Sequence, residues 1–327
     1  MEIPDSTSEQ TIIRELERLK EDTSLSRAVR FQTILNHVDA LLKRYPNTAY
    51  KDEALILKLD VYSGLAQADR RYVQELLVLT DSIACEKPQG RLASENAYYA
   101  IQAFVHGARL EDMPEERRLM GARERYEAFL EDYPESHRSP IIAASLVRNL
   151  LAQGEVAEAE KWVKKLHEVY PDHMALRRAE GELRRVQAVG KPFQLAHTFP
   201  DGATLRTSEY RGKVIVIQFW SAWNDTIIAR LPRLVKLHEE FAPQGLQLIG
   251  VNLDRDRAQA ESVVASNKMT WPQFFDSKGL DSELLVNLGI IRLPSYFVID
   301  RNGVLRSVDD GSKLHDLVAE LIAEPTP

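Results

Sequence analysis

The chain has 327 residues, 44% of them hydrophobic and 28% charged, with a formal net charge of −7. That length suits about two domains, the apolar content supplies cores rather than disorder, and the acidic balance argues against a nucleic-acid partner. A single cysteine, Cys85, excludes an internal disulfide framework, a multi-cysteine zinc or iron–sulfur site and any intramolecular dithiol chemistry.

Met1 to Gln10 carries three acidic side chains and no apolar core, so no signal peptide is expected there. No apolar run approaches the roughly 20 residues that span a bilayer. From there to about residue 189 the chain reads as helices with a weak internal repeat anchored on Pro46, Pro88, Pro134 and Pro171. Twelve residues before each proline stands Ile34, Leu76, Ala122 or Ala159. Val38, Thr80, Tyr126 and Val163 follow four further on, then Leu41, Ile83, Phe129 and Leu166 three beyond those. Offsets of four and three share one helix face, so each helix buries a stripe and is then stopped by proline. Three stops read Tyr-Pro, at Tyr45, Tyr133 and Tyr170. Further amphipathic stretches fall at about 49–66, 91–110 and 139–153, giving helical hairpins that cover one another's apolar faces. The unit 139–171, with Gly154, Ala159 and Pro171 in place, resembles a tetratricopeptide repeat; the other units lack the glycine, and "TPR-like" describes the set. Such a region is either a plain helical bundle or a solenoid that binds protein.

Six glycines fall in residues 1–189 and nine in the shorter remainder. The change comes near Gly190-Lys191-Pro192, which divides an all-helical domain, 1–189, from a mixed domain, 190–327. In the second, Val214 to Trp220 is a continuous apolar, β-branched run, as in a strand buried on both faces. A helix follows Ser221-Ala222-Trp223-Asn224-Asp225 and runs to Phe241. A second buried strand covers Leu246 to Asn252 and a helix about 257–267. Tyr296–Asp300 and Val304–Val308 form a hairpin around Asn302-Gly303, and a last helix spans about 312–323.

Gly212-Lys213, Phe219-Trp220, Trp223, Pro232, Val251-Asn252-Leu253-Asp254 and Leu293-Pro294-Ser295-Tyr296-Phe297-Val298-Ile299-Asp300 resemble a TlpA/ResA-type (redoxin) member of the thioredoxin superfamily. The resemblance covers about 190–323 and implies a central mixed sheet flanked by helices. It also implies a leading β-hairpin, which 193–206 can supply around Asp201-Gly202. The fold class is therefore multidomain, α followed by α/β. Relatives of this type exchange disulfides through a Cys-x-x-Cys pair just after the Trp matching Trp223. Two thiols are needed, one to form the mixed disulfide and one to resolve it, and a helix N-terminus favours the first as thiolate. Here the two positions hold Asn224 and Ile227. Asparagine can cap a helix, with Asp225 as an alternative cap, and isoleucine has no redox chemistry. A peroxiredoxin-like peroxidase would also need a cysteine that this domain lacks.

The resemblance makes the proline matching Pro294 cis and places it beside the missing pair, where the preceding backbone can pair with an extended peptide. Pro294 either only shapes its loop, or Trp223, Asn224, Asp225, Leu293 and Pro294 form a peptide groove with Arg292 at its rim. Trp220 is expected in the core. Cys85 sits in a solvent-type register. The eight histidines lack metal-ligand spacing; His167 and His173 straddle the turn at Pro171 and should be solvated. No phosphate-cradling loop is present. No metal, cofactor, catalytic residue or nucleic-acid partner is expected. The leading expectation is a redox-inactive binding or adaptor protein for a protein or extended peptide, with the helical hairpins as a second surface. The alternatives are a thiol-disulfide oxidoreductase relative working with a partner's cysteines or by an unrecognised mechanism, and a purely structural assembly role. Relatives of this type work outside the bacterial cytoplasm, so an extracytoplasmic or periplasmic setting is favoured, with a cytoplasmic one left open.

Overall fold

The structure, a computed structural model, describes residues 9–22, 24–309 and 311–325. The leader question falls on residues 1–8, outside the described residues. The chain forms two compact units, Met1–Gln153 and Gly154–Pro327. The first holds helices α1 (Glu9–Glu21), α2 (Arg27–Arg44), α3 (Lys51–Ala66), α4 (Arg70–Cys85), α5 (Gly90–Leu110), α6 (Glu115–Asp132) and α7 (Ser139–Ala152). No helix among the described residues is long and apolar enough to cross a membrane.

Most of the proline-anchored stripe is buried, Tyr126 and Val163 being half-buried. Ile34, Leu76, Ala122 and Ala159 are buried, as are Leu41, Ile83, Phe129 and Leu166. Tyr45 and Tyr133 end α2 and α6 alike: φ is −126° and −131°, and each amide still donates to the carbonyl four residues back, Leu41 and Phe129. The following proline explains both, because its ring disfavours helical ψ in the residue before it.

The second unit begins with α8 (Val156–Val169) and α9 (Met174–Ala188). Tyr170 closes α8 with the same geometry, φ −131° and an amide bonded to Leu166. Secondary structure changes character after α9, near Gly190, whereas the compact units part between Gln153 and Gly154; α8 and α9 thus belong with the sheet. Then come β1 (Ala196–Thr198), β2 (Thr204–Arg206), β3 (Val214–Trp220), α10 (Asp225–Phe241), β4 (Leu246–Asn252), α11 (Arg257–Ser266), β5 (Gln273–Phe275), α12 (Glu283–Leu288), β6 (Ser295–Ile299), β7 (Leu305–Asp309) and α13 (Leu314–Ala323). β1 and β2 form the leading hairpin, and the main sheet has the order β5-β4-β3-β6-β7. β3 runs parallel to β4 and antiparallel to β6. This is an all-helical region followed by a mixed sheet flanked by helices.

Every residue of β3 is buried because both faces are covered. Val214, Val216 and Trp220 pack with α10 and α13, while Ile215, Ile217 and Phe219 pack with α12, the β1–β2 hairpin and Ala188 of α9. The α9–α12 contact is backbone to backbone. A Cβ on Gly289, whose φ is +62°, would lie 2.0 Å from the Glu182 nitrogen, and one on Gly181 would lie 2.4 Å from the Val286 carbonyl oxygen. Glycine at both positions lets α9 reach the loop that leads into β6.

Candidate functional site

The candidate site lies at the carboxyl end of β3, where the strand's neighbours are β4 on one side and β6 on the other. The segment Ser221–Asn224 leaves β3 and must turn sharply into α10. A buried carboxylate holds the turn: Asp254 accepts from the Ala222 amide at 2.8 Å and from Asn252 Nδ2 at 2.6 Å. The Asp254 amide in turn donates to Asn252 Oδ1 at 3.0 Å. Asn252 and Asp254 thus position the loop, a role that their place in the Val251–Asp254 motif did not reveal.

Asn224 is the N-cap of α10, its Oδ1 accepting from the Ile227 amide at 3.2 Å. This satisfies one of the helix's orphan donors. Its other amide atom, Nδ2, donates to the Leu293 carbonyl at 3.4 Å. One side chain therefore caps the helix and ties it to the loop before β6. Asp225 is the first helical residue and is exposed, so it is not the cap. Ile227 is fully buried among Val216, Trp220 and Leu231. The two positions to which the family resemblance assigns the thiols hold a polar tether and a core residue.

Across from them the Leu293–Pro294 peptide is cis. Pro294 is buried, Leu293 half-buried and Arg292 exposed. The Leu293 amide donates to no acceptor among the described residues. Trp223 is 54% exposed, whereas Trp220 is wholly buried and donates from Nε1 to Gln273 Oε1 at 3.1 Å. The structure thus brings Asn224 against Leu293, with Trp223 and Asp225 on one side and Arg292 and Pro294 on the other.

The remaining titratable groups fall elsewhere. Cys85 is exposed at the end of α4. His167 meets Glu180 at 2.8 Å and His173 caps α9 through Nδ1. Among the described residues no cluster of three or more His, Cys, Asp or Glu side chains could hold a metal. The helical unit contains a part-buried ion network, absent from the sequence reading, centred on Glu95. Glu95, fully buried, accepts from Arg138 Nε at 3.2 Å and Nη2 at 2.9 Å. Arg138 also donates to the Tyr99 hydroxyl, which donates to Asp60, itself paired with Lys20 at 2.7 Å. Burial, then the Asp60 charge, pushes the Tyr99 hydroxyl up. Lys20, Arg30, Asp60, Tyr98 and Arg138 line a cavity of about 350 Å³.

Residues 187–308 match the model of the AhpC/TSA family. The chain is 26% identical over 112 residues to thiol-disulfide oxidoreductase ResA of Geobacillus thermodenitrificans, covering 34% of this chain and 63% of that protein. It is 22% identical to ResA of Bacillus thuringiensis, covering 39% and 72% respectively. With the thiol:disulfide interchange protein DsbE of Yersinia pestis it shares 34% identity over 36% of this chain and 62% of the relative. The thioredoxin domain of a Bacteroides vulgatus thiol-disulfide oxidoreductase aligns over 41% of this chain and 98% of its own, with 21% identity and a TM-score of 0.37. The C-terminal region is a degenerate thioredoxin fold. It is distantly related to the ResA and DsbE oxidoreductases and lacks a cysteine pair, the chain's one cysteine, Cys85, lying outside the matched residues. The relatives match only part of their own length, about 63% for the first ResA.

Proposed function

We propose that the chain is a redox-inactive binding protein that holds an extended protein or peptide segment against the Leu293 loop. The observation that carries this reading is the Leu293 amide, unpaired among the described residues, on the loop that Asn224 ties to the turn bearing the exposed Trp223. An amide donor with no acceptor in the chain is open to a ligand, and an extended chain carries a carbonyl for it. Trp223 offers an apolar wall with little rotamer entropy to lose. Asn224 supports the reading differently: its amide spans from the helix cap to Leu293 and keeps the two walls in register without a disulfide. Electron transfer has no carrier in this unit, because an amide and an alkyl group cannot replace a dithiol. The TPR-like helices add a second interaction surface, and an extracytoplasmic setting, implied by the family resemblance, goes with this role.

The test is affinity selection of a randomised decapeptide library on the immobilised full-length chain. Wild type should retain peptides, and Trp223→Ala or Leu293→Asp should lower retention at least tenfold while the thermal midpoint stays within a few degrees. Equal retention by both variants would overturn the groove.

A further inference from the structure

The cavity of about 350 Å³ in the helical unit is walled by side chains that the sequence keeps far apart. Lys20 comes from the last turn of α1, Arg30 from α2, Asp60 from α3, Tyr98 from α5 and Arg138 from the turn before α7. A chain of hydrogen bonds fixes the wall. Lys20 Nζ donates to Asp60 Oδ2 at 2.7 Å, the Tyr99 hydroxyl donates to Asp60 Oδ1 at 2.8 Å, and Arg138 Nη2 donates to that hydroxyl at 3.1 Å. Glu95 also holds Arg138, whose guanidinium carbon lies 4.3 Å from the centre of the Tyr98 ring. Arg30 is anchored through Nη1, which donates to the Lys20 carbonyl at 2.9 Å. That carbonyl is among those the end of α1 leaves open.

These bonds leave donors unused. Lys20 commits one of its three ammonium hydrogens. Arg30 Nη2, Arg138 Nη1 and the Tyr98 hydroxyl make no hydrogen bond among the described residues. Burial, opposed by Arg138 and reinforced by Glu95 and Asp60, pushes the Tyr98 hydroxyl up, so it remains a donor at neutral pH. Arg27 stands exposed in the same wall and donates to the Gly64 carbonyl at 2.9 Å. Four cations thus face the carboxylates of Asp60 and the exposed Glu21; with Glu95 behind Arg138, one positive charge is left over.

The unused donors also select the shape of an anion. A planar carboxylate is best seated on the edge of a guanidinium. Glu95 already occupies the Nε–Nη2 edge of Arg138, and Arg30 Nε is buried without a partner, which closes the same edge there. What remains is single donors on separate elements, an arrangement suited to an anion whose oxygens point in several directions. The volume falls among small-molecule pockets, roughly 300–1,000 Å³.

We propose that this cavity binds a phosphate group, free or as the monoester of a small molecule, through Lys20, Arg30, Arg138 and the Tyr98 hydroxyl. The cavity lies wholly within the first unit, so its ligand is independent of the Leu293 groove.

Calorimetric titration of the full-length chain at constant ionic strength, with inorganic phosphate, glycerol 3-phosphate and acetate in turn, tests this. At least one phosphate probe should bind saturably at millimolar concentration or below, and acetate should bind about tenfold more weakly or worse. Whichever phosphate probe binds more tightly distinguishes the free ion from a monoester. Arg30→Gln should weaken that binding by about tenfold or more, and Arg30→Lys by less. Tyr98→Phe loses no internal hydrogen bond, so it should keep the wild-type thermal midpoint and weaken binding by about threefold. Glu21→Gln should tighten it, because a like charge leaves the wall. Saturable binding of neither phosphate probe, acetate bound as well as phosphate, or affinity unchanged in either Arg30→Gln or Tyr98→Phe would overturn the phosphate site and leave the Leu293 groove standing.

Discussion

Replacing Asn224 and Ile227 together by cysteine asks whether only the thiols are missing. The perturbation has two separable costs. Ile227 is fully buried in the core shared by β3 and α10, and trimming a buried branched side chain to a smaller one costs about 2 kcal/mol. Losing the Asn224 cap costs about 1 kcal/mol more. For a unit of this size, about 3 kcal/mol lowers the midpoint by roughly 6–12 °C, read by circular dichroism in excess reductant and in a Cys85→Ser background. Cys85 is exposed, so its own replacement should be worth less than about 0.5 kcal/mol. The thiol introduced at position 224 would lie at the N-terminus of α10, where the helix dipole favours thiolate. The variant should therefore accelerate insulin reduction by dithiothreitol well above background. A folded variant that forms the new disulfide, confirmed by mass, yet shows no acceleration would refute the inference that the loop geometry is that of a redox site. A midpoint unchanged within error would refute the stated burial of Ile227.

Four further outcomes follow from particular contacts. Gly289→Ala should destabilise the second unit by about 3 kcal/mol, because the added Cβ meets the backbone of α9; Gly154→Ala, at φ +76° with open space around it, should cost only about 1 kcal/mol. Asp254→Ala should lower the midpoint and loosen the Ser221–Asn224 turn, read as faster amide exchange at Ala222, since that amide loses its acceptor. Glu95→Ala should cost the helical unit about 3–5 kcal/mol by leaving Arg138 uncompensated, and Glu95→Ala with Arg138→Met should recover part of the loss. Burial lowers the proton affinity of His106 and His238 in the fold. The unfolded chain then binds more protons below pH of about 6.5, so stability should fall as pH drops through that value. Urea midpoints between pH 7 and 5 measure this, and the slope should flatten in His106→Gln.

Much of this architecture was legible in the chain itself, for reasons that particular residues make plain. Val214–Trp220 alternates between two covered faces, so continuous apolarity marked it as an interior strand. The Tyr-Pro pairs at 45–46, 133–134 and 170–171 ended helices because proline restrains the residue before it. Asn224 was readable as a cap from its position before an amphipathic helix. What escaped was short or non-local. β5 has three residues and α12 six, too few to show a period. Arg138 and Glu95 lie 43 positions apart, and no pattern of charges along the helices singles that pair out. No sequence pattern announces that α9 approaches α12 closely enough to require glycine on both. That approach appears only when Gly181 is set against Gly289, a contact between residues 108 positions apart in the chain.

The central claim is that a thioredoxin fold has been kept without its chemistry, and insulin reduction by the unmodified full-length chain tests it most directly. Turbidity in the presence of dithiothreitol should begin no earlier than in the protein-free control, at any concentration up to that at which a dithiol relative acts within minutes. An acceleration proportional to protein concentration that persists in Cys85→Ser would contradict the account, because no thiol would remain in the chain to carry it.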